Sequence, residues 1–98
     1  MQSERGVVLA GEIDASNTAT LGASLQALPV NAGDTVEIDM GGVTFIDSSG
    51  LRALVELAQR VQQVGGRLTL TDTPRSVARL IDIADLHHLL DVRSSSPS

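Results

Sequence analysis

The sequence predicts an α/β domain, or an α+β one if an antiparallel edge strand is present, and three observations carry that expectation. Short aliphatic runs alternate with stretches of helical periodicity, strand then helix, along most of the chain. Phe45 is the only aromatic residue, so the core must be built from Leu, Val, Ile and Ala, a composition that suits helices packed on a largely parallel sheet. Pro29, Gly41-Gly42, Gly65-Gly66 and Pro74 punctuate the runs and divide them into βαβ units, whose crossovers are expected to be right-handed.

The elements follow in order. Residues 7–10 (Val-Val-Leu-Ala) read as a short buried strand, which Gly11-Glu12-Ile13-Asp14 carries into a loop. Ser16 or Asn17 can cap a helix whose apolar positions Leu21, Leu25 and Leu28 keep the 3.6 period, and Pro29 closes it. After a turn at residues 31–34, Val36, Ile38 and Met40 alternate as one face of a strand. Gly41-Gly42 is expected to bend the chain before a second apolar stretch at residues 43–46. The strongest helix places Leu51, Leu54, Val55, Ala58, Val61 and Val64 on one stripe, with Glu56 and Arg60 paired four apart and Gly65-Gly66 as its stop. Residues 67–71 form a strand, Asp72-Thr73-Pro74 a capped start for a helix to about Ala84, and residues 86–92 an apolar stretch of unassigned type. Ninety-eight residues hold one modest core and no second. The expected organisation is a single domain over residues 1–93, with a Ser-rich disordered tail at 94–98.

Composition removes several function classes. The net charge is −5, with seven Arg and no Lys opposing spread-out acids, so no basic cluster can neutralise a row of phosphates and no aromatic platform can stack bases. Nucleic-acid binding is not expected. There is no apolar run of about eighteen residues and no secretory leader, so neither membrane insertion nor export is expected, and the chain reads as cytoplasmic. Cysteine is absent, which removes disulfides and thiolate metal sites. His87 and His88 are adjacent and point apart, without a spaced third ligand. No phosphate-binding glycine loop and no Gly-x-Ser-x-Gly motif is present, so no enzyme, metal or cofactor is expected.

The informative segment runs from Val36 to Leu51: a strand, a short crossover, and the tetrapeptide Asp47-Ser48-Ser49-Gly50 opening an amphipathic helix. Asp47 or Ser48 can accept a bond from the helix's first N–H groups, and Gly50 permits a close approach or a tight turn. An ordinary helix cap explains this segment as well as a binding site does.

Asp47-Ser48-Ser49-Gly50-Leu51, after a hydrophobic strand holding Asp39 and the Gly-Val-Thr-Phe-Ile run, resembles the signature of STAS domains, most of all the bacterial anti-sigma factor antagonists. Gly11-Glu12-Ile13-Asp14 resembles that family's preceding motif, and Val64-Gly65-Gly66 before residues 67–70 its third landmark; the resemblance spans about residues 6–92. It implies a small mixed β-sheet with helices against it, and a partner-switching role. In that role the unphosphorylated antagonist holds an anti-sigma factor, often itself a GHKL-type serine kinase, and a PP2C-type phosphatase reverses the kinase's phosphorylation. By position the phosphorylated serine is Ser48, with Asp14, Asp47, Ser49 and Gly50 at the partner-facing surface. The other role the family offers is a standalone subunit docked on the ATPase of an ABC lipid transporter. One departure stands out. Such domains usually begin with an additional strand, and the six residues before Val7 are too few for a strand and a turn. The expected consequence is an exposed sheet edge covered by a second copy of the chain.

Overall fold

The computed structural model describes residues 4–94. They form β1 (Glu4–Ile13), α1 (Thr18–Gln26), β2 (Thr35–Ile46), α2 (Ser48–Gln63), β3 (Arg67–Thr73), α3 (Arg75–Ile83) and β4 (Asp91–Ser94). The strands lie in sequence order, β1-β2-β3-β4, and every neighbouring pair is parallel, so the domain is α/β with no antiparallel strand among the described residues. Strands laid down in this order with right-handed crossovers set all the helices on one face of the sheet. Burial agrees: Val36, Ile38 and Met40 of β2 are buried, whereas Glu37 and Asp39 between them are exposed on the open face.

The core is aliphatic throughout, with Ile38, Met40, Leu54, Leu57, Leu70, Ile81 and Leu90 fully buried between sheet and helices. α2 crosses its centre. Its buried face includes Ala53 and Leu57 beside the expected Leu51, Leu54, Ala58 and Val61, while Val55 and Val64 are only partly covered. Gly65 then takes a φ of +74°, the left-handed conformation that ends a helix at little cost for glycine.

The structure differs from the sequence reading at several joints, each for a local physical reason. β2 does not end at Gly41-Gly42. Val8 pairs with Asp39 and Ala10 with Gly42, so the strand bulges against β1, changes the phase of its buried face to Val43 and Ile46, and continues. Asp72 does not cap α3: it sits at φ +53° inside β3, and Pro74, with no side-chain bond to give, occupies the cap. Asn17 stands at the cap of α1 but its side chain turns back to the preceding loop. Glu56 pairs with Arg52 at 3.7 Å, not with Arg60, whose guanidinium instead holds the Gln26 and Leu28 carbonyls at the end of α1. The unassigned stretch is a pair of turns closed on Ile81 and Leu86, leading into β4. Ser94, expected to begin the tail, is the last residue of β4, and residues 95–98 lie outside the described residues. β1 begins by Glu4, and among the described residues it has a neighbouring strand on one side only.

Candidate functional site

β1 and β2 finish in register, Ile13 opposite Ile46, so the residues that follow them leave the carboxyl edge of the sheet side by side. Those residues are Asp14 and Asp47, distant in sequence and adjacent in the fold. The Asp47 N–H donates to the Ile13 carbonyl at 3.1 Å and ties the two loops together.

The Asp14 loop is held by its own side chains. The Ser16 hydroxyl and N–H both donate to Asp14 Oδ1, at 2.6 and 2.9 Å. The Asp14 N–H donates to Asn17 Oδ1 at 3.0 Å, and Asn17 Nδ2 reaches the Glu12 carbonyl at 2.6 Å. The Ser16 hydroxyl first, and its N–H second, hold the Asp14 carboxyl below its ordinary 3.8, against a smaller opposing effect of burial. Asp14 is therefore a fixed negative charge at the site.

At the start of α2, Asp47 is extended (φ −102°, ψ −174°), and its Oδ1 accepts the Gly50 N–H at 3.1 Å while its carbonyl accepts that of Leu51 at 3.0 Å. Of the two caps the sequence left open, Asp47 rather than Ser48 makes the bond. Ser48 is the first residue of the helix and its side chain is exposed; Ser49 is half-buried. Gly50 is buried, and the group it lets close is the protein's own sheet: a Cβ there would lie 2.6 Å from Ile13 Cγ2 and 2.8 Å from Ile46 Cγ1. Asp14, Asp47, Ser48 and Ser49 thus share one edge, and Gly50 sets how closely that edge sits on the strands. Beside Ser49 a shallow groove of about 330 Å³ runs between α1 and α2, lined by Ala19, Gly22 and Ala53 and by the exposed side chains of Arg52 and Glu56.

His87 and His88 line a separate cleft of about 520 Å³ with Arg67 and Asp91, at the amino end of β3 and hence at the other end of the parallel sheet from Ser48. Among the described residues no three His, Cys, Asp or Glu side chains converge as metal ligands would, and no helix is long and apolar enough to cross a membrane. Two further residues stand at this edge to which the sequence reading gave no site role. Ser16 was legible as the hydroxyl of an Asp-x-Ser turn. Arg52 was legible only as a charge on the polar face of α2, and its place beside the groove comes from the packing of α1.

A family model described as "Mlab, STAS domain" matches residues 2–91. The anti-sigma-B factor antagonist of Bacillus subtilis (strain 168) is 32% identical over 90 residues, covering 92% of this chain and 82% of the relative. Among solved structures, the anti-sigma factor antagonist SpoIIAA in its unphosphorylated form superposes with a TM-score of 0.64 at 19% identity, covering 80% of this chain and 72% of that one. A sulfate transporter family protein from Wolinella succinogenes superposes at 0.75 with 17% identity, covering 92% and 75%. At these identities the two structures speak for the fold, which regulators and transporters share.

Proposed function

Because this chain belongs to the STAS domain family, we propose that it is an anti-sigma factor antagonist working by partner switching: it binds an anti-sigma factor while Ser48 is unmodified and releases it once Ser48 is phosphorylated. The observation that carries the reading is the position of Ser48, exposed at the first turn of α2 directly after the capping Asp47, at the carboxyl edge of the sheet where the Asp14 loop also emerges. A kinase of the GHKL type transfers the γ-phosphoryl of ATP to the Ser48 hydroxyl oxygen, releasing ADP and the hydroxyl proton. A PP2C-type phosphatase hydrolyses the ester and restores the hydroxyl.

The fold accommodates this change. At a helix start the first N–H groups have no carbonyl one turn behind them, and the positive end of the dipole favours an anion of about −1.5 to −2. A docked partner does not accommodate it. Burying that charge against two carboxylates costs on the order of several kcal/mol, and about 1.4 kcal/mol is tenfold in affinity. One side chain's charge therefore suffices as a switch, without rearrangement of the fold. The same reading includes a second copy of the chain across the β1 edge.

The test compares capture from native extract by wild type, Ser48→Ala and Ser48→Glu, with retained proteins identified and binding constants measured. A kinase-like anti-sigma factor held by wild type and Ser48→Ala, and at least about a hundredfold more weakly by Ser48→Glu, is the expected result. An ATPase held equally by all three would overturn the reading and leave Asp47 and Ser48 as an ordinary helix cap.

A further inference from the structure

We propose that Arg52 is the in-chain counter-charge of a phosphate on Ser48, so that phosphorylation also withdraws a cation from the docking face. The inference rests on the reading that Ser48 is the switch, and deepens it. α2 begins at Ser48, so Arg52 lies one turn on, at the i,i+4 spacing that brings side chains together on a helix surface.

The present engagement of Arg52 is weak. Its side chain is 82% exposed and its partner Glu56 is 52% exposed, with Nε and Oε2 3.7 Å apart. The pair also runs in the poorer order, cation before acid; an acid at position 48 and a cation at 52 run in the better one. A phosphate adds up to twice the charge of Glu56 and three acceptor oxygens that match a guanidinium fork. It outcompetes Glu56 on charge, geometry and order.

No other cation of α2 can answer it. The helix carries only Arg52 and Arg60, and Arg60 is committed to the carbonyls of Gln26 and Leu28 at the far end. Of the two carboxylates on the adjoining loops, Asp47 is engaged in the cap and Asp14 accepts from Ser16, so neither offers a counter-charge to a phosphate. In the unmodified protein Arg52 lines the α1–α2 groove beside Ser49, a single positive group suited to a carboxylate of the partner. Phosphorylation then works twice, adding negative charge at Ser48 and folding that cation onto it.

The test uses the full chain carrying phosphoserine installed at position 48 by semisynthesis, titrated by phosphorus NMR. The second ionisation of the phosphate, ordinarily about 6, is expected about 0.2 to 0.4 pH units lower in wild type than in Arg52→Gln, roughly a 1.5- to 2.5-fold change in the acid constant, the size an i,i+4 ion pair gives. The helix start is common to both chains, so its influence cancels. Arg52→Lys should recover part of the difference, and Glu56→Gln, which removes the competitor, should lower the value further. Superimposable titrations of wild type and Arg52→Gln would overturn the proposal. The titration needs no partner, so it stands apart from the capture experiment: a lost partner-switch with an intact Arg52 effect rejects the function, and the converse rejects only this role for Arg52.

Discussion

Asp14 shows how a single side chain is set by its immediate neighbours. Its carboxylate is stabilised in the folded chain chiefly by the Ser16 hydroxyl, so its folded pKa lies below the ordinary 3.8. For a depressed carboxyl the contribution to stability is present in full above the unfolded value and is lost as pH falls through the folded one. Removing the hydroxyl with Ser16→Ala should move the NMR titration midpoint of Asp14 upward, toward 3.8, leaving more of the site protonated in the acid range. An unchanged midpoint would mean that the Ser16 hydroxyl does not set this charge. At this scale the sequence was legible where bonding is local. A cap at the start of α2 follows from four consecutive residues, and the structure chooses Asp47 over Ser48 to make it. The turning-back of Asn17 to Glu12 does not, because two local acceptor choices compete and the loop between β1 and α1 decides between them.

At the scale of elements, the site depends on how α2 is seated. A Cβ on Gly50 would meet Ile13 and Ile46 side chains and, at 3.1 Å, the Ile13 carbonyl oxygen, which cannot swing away. Gly50→Ala should therefore cost about 1 to 3 kcal/mol, the range for forcing a methyl group into a packed site. Urea denaturation should show a lower midpoint with an unchanged slope. A second attachment is Arg60, which joins α2 to the end of α1 through two backbone carbonyls. Arg60→Ala should lower stability by roughly 1 kcal/mol, the scale of a charge-assisted bond at a partly exposed site, and hydrogen exchange should locate the loss in α1. The elements were legible wherever a period repeats over enough residues, as in α2 and the first half of β2. The bulge at Gly41-Gly42 and the short β4 were not, because register and four-residue pairing are properties of two strands and only one is visible at a time in the chain.

At the scale of the whole molecule, the parallel order of the sheet determines both where the proposed switch residue lies and where a second copy would bind. The two edges of the described sheet are unlike. β4 is four residues long and carries Asp91 and Arg93 in contact with one another, the short and charged kind of edge that resists pairing. β1 is ten residues long, uncharged from Gly6 to Gly11, and exposes Val8 at 74% on the open face. An antiparallel two-fold pairing of β1 about Val8 keeps the open faces of both copies on the same side, sets Val8 against its equivalent, and satisfies one row of backbone groups in each chain. Wild type should accordingly pass from monomer to dimer with rising concentration in sedimentation velocity, and Val8→Lys should remain monomeric while folding normally. A single monomeric species of the wild type across the concentration range would dismiss the pairing. Antiparallel pairing also carries the two carboxyl edges to opposite ends of the joined sheet, so that neither Ser48 faces the contact. Ser48→Glu should therefore leave the association unchanged even where it weakens capture of the proposed partner, which separates assembly of the chain from the proposed switch.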